Sequence, residues 1–559
     1  MGSYPVAHAH AHASLGARVG ATTRRDGAHR MTTAGGRESR LTRAVTVGVV
    51  AIGLALIAYQ FAFNPSLSID ELAVVNNVLA RDLVDLVTKP LDYEQIAPIG
   101  FLALVKASTM LFGSSETALR LVPMLAVLSA VAAFIVVVRR EFKAETVPLV
   151  LALLLMARPL IWTPTLVKQY GLDIGVAAVL LWIGVQLIRQ RRIHPAWLGG
   201  ALLSPWLSHP AVFTLPAVAA AWALSIRREN GSQKPVASWT LAWGASSLAA
   251  ITVAGALVTP ATNQYMHGYW ELAFWPLWPP TALSVRWPVA AVRDALDAVV
   301  SFPAPEFGLL LLAVGAWHLI RRNAPLAVLL LLPIVSACVV SAFRLYPFTD
   351  RTLYFLLPTL AMLIGAAFAA FADAVGRDRQ SRVATIVAVL VAGRIAYLLA
   401  STPPPYHFQH IRPVLTAVSS SSAPGDRFLV TYGAEQAWRY YAPRLGLSER
   451  PTIYMPCRRG PVSGSLEELR SLDTGRIWLI FSMAARLQTP GLLLHELKQR
   501  GALILELPPG SGSTHASSAH LIDLDASPTV PPGSPAPAIP DVNPRGPCQG
   551  PAVARTPLP

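Results

Sequence analysis

Two adjacent carboxylates, Asp70 and Glu71, directly follow the first long apolar run of the chain, in the stretch SLSIDELAVV. Ser68 and Glu71 have the spacing of a capping box, which would give Glu71 a structural role at the start of a helix. That pattern assigns no role to Asp70. A carboxylate at the edge of a membrane can act as a general base towards a hydroxyl group, and a neighbouring carboxylate can hold a divalent cation. The pair is therefore a candidate catalytic site.

Three cations, Lys168, Arg344 and Arg351, lie in short loops or at span ends, in the stretches PTLVKQYGLD and FRLYPFTDR. The other cations collect in predicted cytoplasmic loops, and that rule does not account for these three, which lie on the predicted outer side. An arginine guanidinium matches phosphate oxygens through its planar fork, and a lysine acts as a point charge. These side chains are candidates to bind a lipid-linked phosphate and to stabilise it as a leaving group. The alternatives are snorkelling to the membrane surface and a local ion pair, such as Asp350 with Arg351.

Three further residues, Tyr170, Asp173 and His209, fall near the same ends of the predicted spans. Asp173 is either a second acid in the cleft or a helix-start residue favoured by the helix dipole. Tyr170 either stacks on a sugar or anchors the chain at the membrane interface. His209 is either a titratable site residue or a structural histidine. The residue types alone leave these alternatives open.

The elements that must position these residues are membrane helices. Of the 559 residues, 53% are hydrophobic and only 14% are charged, and the mean hydropathy is +0.46, as in a polytopic membrane protein. The net charge of +15 does not indicate a nucleic-acid partner, because Lys and Arg fall in pairs between apolar runs and not on one soluble face. The three cysteines suggest no metal cluster, and pairing of Cys457 with Cys548 stays open.

Eleven transmembrane helices are predicted from runs long enough to cross a bilayer, since a spanning backbone must satisfy its own hydrogen bonds. Their predicted bounds are 44–63, 117–138, 146–164, 170–188, 195–208, 210–226, 237–258, 306–320, 325–343, 352–371 and 382–400. Lys and Arg collect in alternate short loops, such as VVVRREFK and LIRQRRIH, which places those loops in the cytoplasm. We therefore expect a multi-pass protein of the cytoplasmic (inner) membrane with a cytoplasmic N-terminus.

The transmembrane domain, residues 44–401, is interrupted by two long outer loops at 64–116 and 259–305. In the first loop, the amphipathic stretch ELAVVNNVLARDLVDLV and the apolar stretch after it are expected to lie on the outer membrane surface as interfacial helices. The second loop is rich in Tyr and Trp, as at a membrane interface.

The remaining segments are predicted to be soluble. Residues 402–525 contain short apolar strands, GDRFLVTY, GRIWLIFS, ALILEL and SAHLIDLD, with helical stretches between them. This pattern predicts a small extracytoplasmic α/β domain. Residues 1–43 and the Pro-rich residues 526–559 have the composition of disordered tails.

Several longer stretches carry a family resemblance, namely DYEQIAPIGFLALVKASTMLFGSSETALRLVPML, KQYGLDIGVAAVLLW, YPFTDRTLYFLLPTLAMLIG and GDRFLVTYGAEQAWRYY. With the acidic pair after the first span, they resemble the bacterial branch of the C-type glycosyltransferase superfamily, the protein-mannosyltransferase-like and lipid A aminoarabinose transferase-like membrane enzymes. The resemblance covers most of residues 44–525. It implies that Tyr93, Glu94 and Gln95 form a polar set at the active cleft. It also implies a second acidic position near Asp173 and a basic position at Arg351.

The resemblance implies a polytopic α-helical C-type fold that transfers a sugar from a polyprenyl phosphate to an acceptor at the outer face of the membrane. Asp70 would activate the acceptor hydroxyl, with inversion at the anomeric carbon, and Lys168 and Arg351 would stabilise the departing lipid phosphate. The acceptor class, whether glycan, lipid or protein, stays open. Gln95 stands where the aminoarabinose transferases have a lysine, which puts the donor contacts in doubt. Relatives differ in their need for a divalent cation, so no metal ligands are assigned and a cation remains an alternative.

Two other functions are compatible with parts of the sequence. A transporter would place acids and broken helices at the membrane midplane in two related halves, whereas here the polar residues collect at one face and Arg394 is the exception inside a span. A non-catalytic envelope assembly factor would keep the fold and use residues 402–525 to bind partners. It differs from an enzyme in not needing Asp70.

Overall fold

The computed structural model describes residues 39–189, 194–228, 231–275, 282–302, 304–375, 380–455, 469, 472–482, 489–507 and 517–535. Most of the two predicted tails lies outside these residues, as do Cys457 and Cys548. The chain is a polytopic α-helical membrane protein, which confirms the class predicted from the composition.

Helices account for most of the chain as far as residue 401. Their bounds are α1 Arg40–Phe63, α2 Ile69–Ala80, α3 Leu83–Thr88, α4 Ile99–Phe112, α5 Glu116–Glu141, α6 Val147–Leu155, α7 Arg158–Trp162, α8 Tyr170–Ile188, α9 Pro195–Ala201, α10 Ser204–Leu207, α11 Ala211–Arg228, α12 Lys234–Ala256, α13 Pro260–Tyr269, α14 Ala282–Ala295, α15 Pro305–Arg322, α16 Ala324–Ala342, α17 Leu357–Val375 and α18 Gln380–Ser401. A 3-10 segment, Asp350–Leu356, leads directly into α17.

In the described part of the chain, seven helices are long and apolar enough to cross a membrane, or nine if two bent helix pairs each count as one span. The sequence predicts eleven. One bent pair, α6 with the helical residues 158–165, turns by 57° at residues 156 and 157. The two predicted spans beyond the nine are 195–208, which forms the short helices α9 and α10, and 210–226, which forms α11. The first of these runs breaks at residues 202 and 203, between Gly199 and Gly200 in the last turn of α9 and Pro205 in the first turn of α10; both residue types weaken a continuous helix.

The short helices α9 and α10 run alongside α8. The rings of Trp182 and Trp197 are in edge-to-face contact at 4.9 Å, and Ser208 donates a hydrogen bond to Asp173 at 2.6 Å. Because these contacts join the start of α9 to the end of α8, and the residue after α10 to the first turn of α8, the two segments are antiparallel. Residues 195–208 therefore return along α8 in two pieces.

Arg394, on α18, caps backbone carbonyls where other helices break. It is 7% exposed, and its Nη2 donates to the carbonyls of Met156 at 2.8 Å and Val300 at 2.7 Å, while Nη1 donates to Ser301. Carbonyls at a helix break inside a membrane have no water to bond with and need an internal donor. The exceptional cation of the sequence thus has a structural role in the described residues.

Replacing Arg394 with leucine is expected to destabilise the protein by about 3 kcal/mol or more, because charge-assisted hydrogen bonds are lost and buried carbonyls are left unpaired. The matched control is Arg382→Leu, which removes an exposed cation from the same helix. Thermal unfolding in detergent should show a clearly lower midpoint for Arg394→Leu alone. Equal midpoints for the two variants would contradict the capping role.

The segment after α1 is buried in protein, so the prediction of an interfacial helix whose apolar face lies against lipid is wrong for α2. Residues 71–78 of α2 are all buried, because α2 packs between α4 and a helix of the C-terminal unit, α20 Tyr432–Tyr441. The amphipathic pattern placed its apolar stripe against lipid, whereas both sides of α2 are covered by protein. By contrast α4, which has 14 residues, exposes Met110, Leu111 and Phe112.

The C-terminal unit contains a five-stranded mixed sheet. The strands are β1 Arg427–Val430, β2 Thr452–Tyr454, β3 Arg476–Phe481, β4 Ala502–Leu507 and β5 Ser518–Asp523, and the helices around them are α19 Ile411–Ser421, α20 and α21 Thr489–Arg500. Their order is β2-β1-β3-β5-β4; β1 is parallel to β2 and β3, and β5 is antiparallel to β3 and β4. All four strands predicted from sequence form, and β2 was missed.

The predicted start of the C-terminal tail is too early. Thr529 and Val530 donate backbone hydrogen bonds to Gly501 and Lys498, at 3.0 and 2.9 Å. These bonds fix the first residues of the Pro-rich stretch to the end of α21.

Candidate functional site

Asp70 and Arg351 form an ion pair at the end of the helical unit that carries the C-terminal unit, which we call the domain side. Ser68 caps α2, so Asp70 lies in the first turn of this helix. Arg351 lies in the 3-10 segment before α17. Its Nη1 donates to Oδ2 of Asp70 at 2.5 Å, and the two side chains are 27% and 41% exposed. Arg351 therefore pairs with an acid 281 positions away in place of the predicted local partner, Asp350.

Aromatic rings surround the Arg351 guanidinium. Its central carbon lies 5.8 Å from the ring centre of Tyr170 and 5.7 Å from that of Trp270, and Nη2 donates to the hydroxyl of Tyr269 at 3.3 Å. Rings at these distances attract a cation and restrict its orientation. Tyr170, a candidate from the sequence, is thus at the site. Tyr269 and Trp270 were assigned only to an interfacial loop, because nothing in their spacing links them to Arg351.

Glu71 has a structural environment. It is 2% exposed, and it accepts hydrogen bonds from the backbone and hydroxyl of Ser68, both at 2.9 Å, and from the backbone of Val167 at 3.0 Å. Arg120 lies 3.5 Å away. The capping box read from the sequence is therefore present. Its bond to Val167 also fixes the chain beside Lys168.

Lys168 is the second cation of the site. It is 7% exposed, and its Nζ donates to Oε1 of Gln95 at 2.5 Å. Burial lowers the pKa of Lys168 to about 8, with Arg351 acting in the same direction and the nearby carboxylates of Asp70 and Glu71 opposing it. Lys168 is therefore mostly charged at neutral pH and is held by a neutral amide. A cation held in this way is available to an incoming anion.

Tyr93 and Glu94 occupy a strained turn. Their φ angles are +65° and +50°, a region that tyrosine and glutamate rarely adopt and that costs about 1–3 kcal/mol per residue. The turn is fixed at both ends, since Asn77 and Arg81 bond to Asp92 on one side and Lys168 bonds to Gln95 on the other. The polar set implied by the sequence resemblance thus lies at one edge of the Asp70 site.

Three other candidates from the sequence lie apart from this cluster. Asp173 is one turn further along α8 than Tyr170; it is 5% exposed and accepts a hydrogen bond from Ser208. His209 is partly buried, and burial lowers its pKa to about 4, so it is neutral at physiological pH. Arg344 is exposed, and its guanidinium lies 6.0 Å from the ring centre of Phe274. None of the described contacts of these residues joins them to Asp70.

The connection from α1 into α2 is held by the C-terminal unit, which sequence reasoning missed. The bonds are Ile69 N to Gln409 Oε1 at 2.6 Å, Leu67 N to Tyr441 Oη at 2.9 Å, Arg412 N to Ser66 Oγ at 3.0 Å and Arg412 Nη2 to the Asn64 carbonyl at 2.8 Å. The first of these fixes the residue directly before Asp70. The partners are more than 300 positions apart, so no local pattern could have indicated them.

We call these contacts of Gln409, Arg412 and Tyr441 with the segment before Asp70 the clamp. A buried carboxylate, Glu116, also takes part in it. It is 7% exposed and accepts hydrogen bonds from Arg412, Tyr441 and Asn64, the last at 3.0 Å. Two of these donors belong to the C-terminal unit. The clamp therefore joins that unit to the start of α5 as well as to the Asp70 segment. Among the described residues, no group of three or more His, Cys, Asp or Glu side chains is arranged to hold a metal ion.

No protein-family model and no curated protein matches the chain. Among solved structures, it is similar to ArnT from Cupriavidus metallidurans in the apo state (TM-score 0.49, 12% identity, 87% of this chain and 99% of that chain). It is also similar to ArnT from the same organism bound to undecaprenyl phosphate (0.48, 11%, 85% and 97%). A third is the Archaeoglobus fulgidus oligosaccharyltransferase in complex with Zn and sulfate (0.42, 11%, 84% and 72%).

Proposed function

We propose that this protein is a membrane glycosyltransferase that moves a sugar from a polyprenyl phosphate donor to an acceptor hydroxyl at the outer face of the membrane. The observation that carries the proposal is the Asp70–Arg351 ion pair with Lys168 close by, at the end of a helical membrane unit. It supplies a carboxylate for the hydroxyl and two cations for a phosphate in one place. The donor class follows the sequence resemblance.

Donor binding is proposed to free the base. Without donor, Asp70 is bonded to Arg351, and a carboxylate bonded to a guanidinium is a weak proton acceptor. A donor phosphate offers the guanidinium a second anion of the geometry it prefers. Exchange of Arg351 from Asp70 to the phosphate leaves Asp70 beside the bound sugar as a stronger base. The donor phosphodiester carries a single charge, so Lys168 acts mainly on the second charge that develops on the phosphate as the sugar leaves.

In the proposed transfer, the acceptor oxygen attacks the anomeric carbon while its proton passes to Asp70. The bond from the anomeric carbon to the phosphate oxygen breaks as the new glycosidic bond forms, which inverts the anomeric centre. The polyprenyl phosphate leaves with the bonding electron pair, and Arg351 and Lys168 stabilise the charge that develops on it. Loss of the proton from Asp70 to solvent completes the cycle.

The proposed orientation places the domain side outside the cytoplasm. Helices α5, α11 and α15 each end in a pair of arginines, Arg139 and Arg140, Arg227 and Arg228, and Arg321 and Arg322. Arg189 lies with the first pair, since it bonds to Glu141 and to the carbonyl of Arg140. Cations concentrated at the ends away from the domain side favour a cytoplasmic location for those ends.

The donor half of the proposal can be tested with the full chain in lipid nanodiscs. Undecaprenyl phosphate is expected to bind, and undecaprenol, which lacks the phosphate, is expected to bind at least about 30-fold more weakly, since the contacts with both cations are lost. Equal binding of the two lipids would contradict the phosphate site. Analysis of the lipid-linked sugars that accumulate in cells without the protein would then identify the donor.

Donor affinity is expected to fall above about pH 8, where buried Lys168 loses its proton. Burial disfavours the charged form of Lys168 and so lowers its pKa. The charged form predominates below about pH 8 and is lost as the pH rises through that value. Undecaprenyl phosphate affinity should be highest between about pH 7 and 8, where the phosphate has lost its second proton and Lys168 keeps its charge, and should then decline by up to about tenfold per pH unit. In Lys168→Arg the decline should disappear, because arginine stays charged. If Lys168→Arg shows the same decline in affinity, the decline comes from the titration of another group.

A further inference from the structure

One face of α20 is turned towards the strained turn at the Asp70 site. Tyr432, Glu435 and Arg439 follow one another at three- and four-residue spacing and are all half-buried, whereas the opposite face of the helix is buried in the core. Arg439 bonds to Glu435 at 3.0 and 3.1 Å, and its guanidinium lies 4.9 Å from the ring centre of Tyr454. Since α20 packs against α2, this polar and aromatic stripe borders the segment that contains Asp70.

The strained turn presents its side chains to this stripe. Tyr93 is 37% exposed. Burial raises the pKa of its phenol, and the charges of Arg439 and Glu435 also act on it. Burial likewise raises the pKa of Tyr432 to about 12, with Glu94 and Glu435 adding to the effect. Asn77 of α2 bonds to Asp92, directly before this turn, and α2 packs against α20, so the turn and the stripe of α20 border the same helix.

Helix α13 closes the third side and connects it to the ion pair. The rings of Tyr265 and Tyr269 are 6.1 Å apart, and Tyr269 accepts a hydrogen bond from Arg351. Burial raises the pKa of Tyr265, and Tyr432, Tyr269, Glu94 and Asp70 all contribute to the rise. We call Tyr93, Glu94, Tyr265, Tyr432, Glu435 and Arg439 the acceptor surface. Its members come from three separate parts of the chain, and Tyr265 is connected to Asp70 through Tyr269 and Arg351.

We propose that the acceptor surface binds a saccharide chain and places one of its hydroxyl groups at Asp70. This inference rests on the proposed function and narrows its acceptor class to a glycan. The apolar C–H faces of sugar rings pack on tyrosine rings, and their hydroxyl groups bond to carboxylates and to a guanidinium, which are the groups this surface offers. A lipid acceptor would require a continuous apolar groove, whereas charged side chains alternate with the rings here.

The strain at Tyr93 and Glu94 supports a binding role for the surface. Two successive non-glycine residues with positive φ persist only when their surroundings hold them in place, and such positions cluster at binding sites. Here the surroundings are Asp92 with its partners and Gln95 with Lys168. The bond between Lys168 and Gln95 also joins the acceptor surface to the cation proposed for the donor phosphate. Both substrates would therefore meet at Asp70.

The test uses the full chain in nanodiscs and saturation-transfer NMR with soluble trisaccharides of mannose, arabinose, galactose and glucose. At least one trisaccharide is expected to bind. Its signal should fall at least about fivefold in Tyr432→Ala and in Tyr265→Ala, two changes on different elements, each of which removes a packing ring. Tyr59→Ala, which removes an exposed tyrosine from α1, should leave the signal unchanged.

The outcomes separate this inference from the proposed function, because undecaprenyl phosphate binding is measured on the same samples. If no trisaccharide binds, or if Tyr432→Ala and Tyr265→Ala bind as well as the wild type, the saccharide assignment is overturned while donor binding stands. If a Ser/Thr-rich peptide binds to the wild type and these two substitutions abolish its binding, the acceptor is a protein and the saccharide assignment is overturned. If the wild type does not bind undecaprenyl phosphate, the proposed function is overturned, and the inference that rests on it is overturned as well.

Discussion

Replacing Asp70 with asparagine is expected to lower the rate of sugar transfer by roughly 100- to 10,000-fold, the usual contribution of a positioned general base. Asparagine has the same shape and can still accept a hydrogen bond from Arg351, so the fold and the position of Arg351 should be kept. What disappears is the ability to take the acceptor proton. The measurement is transfer from the lipid-linked sugar that accumulates in cells lacking the protein, with thermal unfolding to verify that the variant is folded.

Two matched substitutions give this experiment its controls. Asp85→Asn removes a carboxylate from the same segment of the chain, where it pairs with Lys89 on the surface, and transfer should stay within about twofold of wild type because exposed ion pairs contribute little. Glu71→Gln weakens the buried acceptor of Ser68 and Val167. It should lower the thermal midpoint more than Asp70→Asn does. Full transfer activity of Asp70→Asn would exclude Asp70 as the general base, whereas absence of transfer by the wild type would favour the non-catalytic assembly role.

Local patterns in the sequence predicted the features that depend on neighbouring residues. The capping box at Ser68 and Glu71 is an example, since its two members are three positions apart and form it in the structure. The strands β1, β3, β4 and β5 are another, because each is a short apolar run. The broken helices are harder to predict. A run such as 195–208 has the composition of a span, but it forms two short helices with glycines in the last turn of the first and a proline in the first turn of the second.

Contacts between distant segments could not be predicted in this way. The sequence offered Asp350 as the partner of Arg351, because they are adjacent, but the fold brings Asp70 to it. The amphipathic stripe of α2 correctly indicated a buried face. The sequence analysis expected lipid to cover that face, whereas α20, more than 350 positions away, packs on it. An apolar stripe indicates that one face of a helix is buried, but it does not indicate whether lipid or another part of the protein covers that face. The same limit explains why the clamp at Gln409 and Arg412 was missed.

Arg351 and Arg344 lie seven positions apart in one loop, and composition alone made them equal candidates for the phosphate. Arg351 reaches Asp70 and the ring of Tyr170, whereas Arg344 is exposed beside Phe274. We expect Arg351→Met to weaken undecaprenyl phosphate binding by about 30-fold or more, the loss of a charge-assisted hydrogen-bond pair worth about 2 kcal/mol. The affinity of Arg344→Met should stay within about twofold of wild type, as for an exposed cation.

Arg351→Lys separates the charge of the guanidinium from its shape. Lysine keeps the positive charge but has no planar fork, so it cannot bond to Asp70 or to a phosphate through two parallel N–H groups. Donor affinity should therefore fall between those of wild type and Arg351→Met. If Arg351 is shared between Asp70 and the phosphate, Asp70→Asn should bind undecaprenyl phosphate more tightly than wild type, because its neutral amide competes less for the guanidinium. Unchanged or weaker binding by Asp70→Asn would exclude this exchange and leave the two cations acting on the phosphate independently of the base.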